Sequence, residues 1–169
     1  LPYEANYSVY RNGKLIGLLE IALEIEDGRW QIRSRASGTH GLARILRAND
    51  REQVTGILKG DDFLPEKHTR HTRMAGIDDH WETNFDWKTD TATVVHDGTE
   101  TFVLSLQGAA LDPLTMKLEM RRRLMANEPD LEFLMVDENE VDEEYFRLLK
   151  SERIETSLGC FETLPIEKI

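Results

Sequence analysis

Histidine is the side chain in this chain best suited to hold a metal ion, and His68, His71, His80 and His96 fall within one stretch. If that stretch is β-strand, His68 and His71 project from opposite faces, so one ion reaches both only across a bulge. Glu66 and His68 share a face, but two ligands fall short of a zinc coordination sphere. No metal-ligating set is therefore expected. The acidic run Asp137-Glu138-Asn139-Glu140-Val141-Asp142-Glu143-Glu144 offers oxygen ligands for calcium. An EF-hand loop demands Gly at its sixth position and Glu at its twelfth, and counting from Asp137 these are Asp142 and Leu148. The run reads as a solvated loop. Cys160 is the one cysteine, so no internal disulfide forms, and no sequence neighbour activates its thiol; its alternating segment reads as a strand with Cys160 in the core. There is no Gly-x-Ser-x-Gly elbow, phosphate-cradling loop or dinucleotide fingerprint. No catalytic residue and no cofactor are expected, and the chain does not read as an enzyme.

The other chemistry on offer is apolar. Over residues 80–88, Trp81, Thr83, Phe85 and Trp87 share one strand face, and His80, Glu82, Asn84, Asp86 and Lys88 share the other. A helix is predicted at about 112–127. Asp112 is a favoured N-cap, Pro113 suits the first helical position, and Pro129 lies just past the end. Leu111, Leu114, Leu118 and Met125 form its stripe, widened by Met116, Met120 and Leu124, which suits packing on a sheet. Trp81, Phe85, Trp87, Leu114, Leu118 and Met125 are the candidate wall of a site for a lipid or another apolar ligand. An aromatic strand face is equally the signature of plain core.

The elements that must position this wall are hairpins. Asn12-Gly13, Asp27-Gly28, Gly60-Asp61-Asp62 and Asp97-Gly98 separate runs in which every second residue is apolar. Tyr3, Ala5, Tyr7 and Val9 alternate in the first run, Leu15 through Ile25 in the second, and Trp30, Ile32, Ser34 and Ala36 in the third. Residues 50–59 and 63–73 are polar on both faces, suiting an exposed edge or a lumen-facing wall. Leu42, Ile45 and Leu46 suggest a short helical segment near 41–47. The fold class is mainly β: an antiparallel curled sheet or incomplete β-barrel of roughly eleven strands, with one main covering helix. No linker divides residues 1–169, which read as a single β-barrel-like domain.

Composition narrows the partners. The 169 residues are 40% hydrophobic and 31% charged, the balance of a globular domain. A net charge of −11 argues against a nucleic-acid partner, and Arg121-Arg122-Arg123 fans around a helix instead of forming a stripe. No apolar run approaches the ~20 residues of a membrane-spanning helix. The chain starts at Leu1 and enters its first strand at Tyr3, which fits a mature protein whose export signal has been removed.

Three segments together resemble an exported bacterial family known as DUF3108. They are Tyr7-Ser8-Val9-Tyr10-Arg11-Asn12-Gly13-Lys14-Leu15-Ile16-Gly17, Leu111-Asp112-Pro113-Leu114-Thr115, and Glu155-Thr156-Ser157-Leu158-Gly159-Cys160-Phe161-Glu162-Thr163. The resemblance implies a periplasmic protein of unassigned activity and brings no catalytic residue with it. At fold level the layout is similar to the part-barrels of periplasmic lipoprotein carriers, an analogy that does not dictate function. The expected role is a non-enzymatic binding module for a lipid or acyl chain. The alternative is a cell-envelope scaffold with a self-filled barrel, which contacts a protein partner through residues 59–73.

Overall fold

A computed structural model describes residues 2–46, 48–128, 131–156 and 158–169. Leu1, Arg47, Pro129, Asp130 and Ser157 lie outside the described residues, as does the side chain of Leu42. The expected turns form as the sequence dictates. Asn12 and Gly13, Asp27 and Gly28, and Asp97 and Gly98 all have positive φ, the signature of two-residue turns whose twist matches the flanking strands.

These turns build an eight-stranded antiparallel meander: β1 (Tyr3–Arg11), β2 (Lys14–Glu26), β3 (Arg29–Gly38), β4 (Asn49–Lys59), β5 (Asp62–Met74), β6 (Ile77–Asp86), β7 (Thr91–His96) and β8 (Glu100–Ser105). Strand order follows chain order, and β1 does not pair with β8. The sheet curls without closing. Helix α1 (Gly41–Ile45) interrupts the meander between β3 and β4, and α2 (Pro113–Met125) follows it. Then come β9 (Glu132–Asp137), β10 (Glu140–Leu148), β11 (Glu152–Thr156), β12 (Gly159–Thr163) and β13 (Ile166–Lys168). β13, β10 and β9 form a second sheet, and β11 pairs only with β12. The described residues hold thirteen strands where about eleven were expected: residues 160–169, expected as one strand, split into β12 and β13, and the acidic run, expected as a solvated loop, folds into the β9–β10 hairpin. Glu144, from that run, is buried and ion-paired to Lys168 at 2.6 Å.

Register places one set of side chains on the inner face. The row Leu23–Ile32–Val54–His68–Thr83–Val94–Phe102 crosses seven strands. Two covers lie over this face. Leu114 and Leu118 of α2 pack on Leu23, Trp30, Ile32 and Val54. At the other end, Val136 of β9, with Leu134 and Val141, packs on Phe85, Ala92, Val94 and Leu106. Glu119 pins α2 to β5 by accepting the Phe63 N–H (2.9 Å), while its other oxygen accepts the Arg122 Nε–H within the helix (2.8 Å).

Two expectations need correction. Of the two alternatives for residues 50–59 and 63–73, the exposed edge is wrong: β4 and β5 are central strands, polar on the inner face because their inner side chains pair with one another. Cys160 is exposed, because the β11–β12 ribbon does not dock on the core.

Candidate functional site

The inner face is layered from bottom to top. The lowest level, under α2 and β9, is apolar core. Above it runs the row Ile21–Ser34–Glu52–Arg70–Trp81–His96–Glu100, and above that Leu19–Ala36–Asp50–Thr72–Asp79. The polar groups of these rows satisfy one another. Asp50 accepts from Thr72 Oγ1 (2.5 Å) and Arg70 Nε (3.5 Å), and Glu52 bonds His68 Nε2 at 2.9 Å. No buried side-chain polar atom among the described residues lacks a partner.

The bottom of this network is deeply buried. Asp112 is fully buried and caps α2, accepting the N–H groups of Leu114 and Thr115 (3.0 Å each) and the Thr115 hydroxyl (2.5 Å). Burial pushes its carboxyl above the usual carboxylate range, against the pull of nearby His68. Burial also favours neutral His68, but its hydrogen bond to Glu52 and the charges of Asp112 and Glu52 outweigh that effect and raise its pKa above 6.5. Because the folded protein holds the His68 proton more tightly than the unfolded chain does, its contribution to stability is complete below about pH 6.5 and fades as pH rises through the folded value. The unfolding free energy from urea titrations at pH 6 to 9 should therefore fall, by at most about 1.4 kcal/mol per pH unit for this one proton. His68→Gln should flatten that slope; an unchanged slope would remove His68 from the account.

At the top of the inner face a separate apolar pocket opens. It has a volume of about 230 Å³ and is lined among others by Val9, Gly17, Ala36, Ala43, Ala48 and Met74. Two close approaches shape it. A Cβ on Gly17 would sit 2.5 Å from the Ser37 carbonyl oxygen, and one on Gly38 would sit 2.6 Å from that of Ala43. α1 is thereby drawn down over the strand ends, and Gly38 N–H bonds the Ala48 carbonyl at 2.7 Å. The opposite face of the sheet carries a larger cleft of about 480 Å³, whose lining mixes Glu4, Glu20 and Glu24 with Arg33, Arg35 and Arg51.

A third cluster sits at the open end of the β6–β7 hairpin. His96 Nε2 lies 2.7 Å from Asp79 Oδ1 and 3.6 Å from Asp97 Oδ2, while Nδ1 is 2.9 Å from Glu100 Oε2. Trp81 stacks on the imidazole, centroids 4.0 Å apart and planes within 10°.

The model of the family described as "Protein of unknown function (DUF3108)" matches residues 6–168. The chain belongs to the DUF3108 family. Neither curated proteins nor solved structures give a significant match to it. The anchors of this DUF3108 protein do structural work: Asn12-Gly13 turns β1 into β2, Asp112-Pro113 starts α2, and Gly159-Cys160 opens β12.

The structure distributes the six predicted wall residues of the DUF3108 chain over separate surroundings. Trp81, Phe85 and Trp87 pack with the cluster under β9, and Leu114 and Leu118 pack with Trp30 and Val54. Trp87, past the end of β6, also donates its indole N–H to the Pro65 carbonyl at 2.7 Å. Met125 is the last residue of α2 and 72% exposed. The first five are thus not brought to one open surface. The pocket under α1 and the Asp79–His96–Asp97 cluster were missed from sequence. A signal for the cluster existed: the Asp97-Gly98 turn sets His96 opposite Glu100, and pairing Trp81 with His96 brings Asp79 alongside.

Proposed function

We propose that this protein is a non-enzymatic binding module for a single-chain amphiphile, with the acyl chain in the pocket under α1 and the polar end against Asp50, Thr72 and Arg73. The observation that carries this reading is the pocket itself. Val9, Ile16, Ala36, Ala43, Ala48 and Met74 line it together with Asp50, Thr72 and Arg73, it opens at the top of the inner face, and Leu18, Ile45, Met74 and Ile77 are exposed at that end of the sheet. Apolar concavities with a few polar groups at the mouth are the common form of small-molecule sites. Export to the periplasm belongs to the same proposal, supported by the family resemblance; fractionation of the source cells tests it.

The test uses a fluorescent fatty acid below its micellar concentration. Saturable, stoichiometric binding is expected. Ala36→Phe, which fills the pocket, and Met74→Glu, which puts a charge at its rim, should each weaken binding by about tenfold or more, a loss of about 1.4 kcal/mol. Circular dichroism should be unchanged for Met74→Glu. Absence of saturable binding, or wild-type binding by both variants, would overturn the reading.

One observation favours the scaffold alternative. Every described residue of the β11–β12 ribbon except Thr163 is exposed, and Ile154, Leu158 and Phe161 are among them. Unsupported apolar ribbons of this kind suit a protein partner. Deleting that hairpin should leave fatty-acid binding intact and abolish any envelope partner's co-purification.

A further inference from the structure

We infer that Asp79, His96 and Asp97 form a binding site for a divalent transition-metal ion, with Zn²⁺ the natural probe. One ligating atom from each of Asp79, His96 and Asp97 lies within 4.8 Å of the other two, and no other set of three ligating groups among the described residues meets that condition. One imidazole and two carboxylates make a borderline donor set that suits Zn²⁺ and its first-row neighbours better than calcium, which takes oxygen alone. Bonds of about 2.0–2.1 Å to a tetrahedral ion separate its ligands by about 3.3 Å. His96 and Asp97 are already 3.6 Å apart, the 2.7 Å Asp79–His96 contact has to open by roughly 0.6 Å on the same geometry, and the two carboxylate oxygens, within 4.8 Å of each other, close on the ion.

The groups behind the ligands are arranged as an outer shell would be. Glu100 Oε2 accepts from His96 Nδ1 at 2.9 Å, the carboxylate–histidine pairing that keeps a proton on Nδ1 when the ion displaces the Nε2 proton now shared with Asp79 Oδ1. Trp81 Nε1 donates to Asp79 Oδ2 at 2.9 Å, leaving Oδ1 for the ion. The backbone N–H of His80 donates to Asp97 Oδ1 at 3.0 Å, leaving Oδ2. Each ligand therefore spends its second polar atom on a positioning bond and turns its first toward the same point. The stacked Trp81 ring holds the imidazole plane. Asp79, His96 and Asp97 are 32%, 25% and 49% exposed, so an ion has an open path, and three protein ligands leave a coordination position for water or an anionic oxygen. This site stands apart from the pocket under α1 and does not depend on it.

The experiment is isothermal titration of the chelator-treated full chain with Zn²⁺, together with long-range ¹⁵N correlation spectra of its five histidines. One equivalent is expected to bind, with the His96 Nε2 resonance moving and those of His68 and His71 staying in place. Asp79→Asn should abolish stoichiometric binding. Glu100→Gln should weaken it by about 10- to 100-fold, as loss of an outer-shell partner does. His80→Gln, whose side chain is not a ligand, should bind as wild type. If Asp79→Asn does not fold, the wild-type spectra and Glu100→Gln decide the matter. No stoichiometric uptake, uptake without movement of His96 Nε2, or full affinity in Glu100→Gln would leave the cluster a histidine clamped between carboxylates and overturn the inference.

Discussion

Gly56→Ala is expected to destabilise the protein by about 3 kcal/mol or more, the upper end of what overpacking a core costs. Gly56 is buried in β4, opposite Trp30 on one side and Pro65 on the other. A Cβ there would lie 2.1 Å from the Leu64 carbonyl oxygen and 2.7 Å from two atoms of the Trp30 indole. Neither neighbour can retreat cheaply. The carbonyl belongs to β5 at a register shift in the β4–β5 ladder. The indole is 3% exposed, donates Nε1–H to the Ile57 carbonyl at 3.1 Å, and meets Phe63 edge-on at 5.3 Å. For a chain of this size the loss corresponds to a fall in Tm of about 6–12 °C. Thermal unfolding followed by tryptophan near-ultraviolet dichroism measures it. A shift under about 2 °C would mean that the ladder yields without strain.

Asp112→Ala should cost about 2–4 kcal/mol, combining a lost helix cap with a buried Thr115 hydroxyl left without its acceptor. The carboxylate serves three donors at the first turn of α2, and α2 covers Leu23, Trp30 and Val54, so its loss loosens the cover over half of the inner face. Asp112→Asn keeps a capping oxygen and should recover about half of that loss, while removing the negative charge that favours protonated His68. Urea denaturation at pH 6 and pH 8 separates the two effects. Equal losses for Ala and Asn would show that charge, not capping, is what Asp112 contributes.

The hairpin skeleton was legible because its causes are local. Positive-φ pairs such as Asn12-Gly13 and Asp27-Gly28 select a turn, and alternation then selects a face for Leu23, Trp30 and Ile32. The start of α2 was legible for the same reason, since Asp112 and Pro113 act on backbone groups two or three residues away. Less local features were not. β4 and β5 stayed ambiguous between an edge and an inward-facing wall because Glu52, His68, Arg70 and Asp50 look like solvated groups until their cross-strand partners are known. Cys160 read as core because alternation reports a face without reporting whether anything covers it.

What the sequence by itself determined is the order of antiparallel strands, the cap of α2, the absence of an apolar helix long enough to cross a membrane, and the segments that mark the DUF3108 family. What the tertiary structure decided is which surfaces remain available. Trp81, Phe85 and Trp87 are taken by the β9 cover, whereas the space between α1 and the ends of β2–β5 stays open. The convergence of Asp79, His96 and Asp97 also depends on register. The physical reason is common to both: turn and cap preferences act over two to four residues, whereas burial and ligand convergence depend on groups far apart in the chain that meet only when the sheet has curled and its covers have docked.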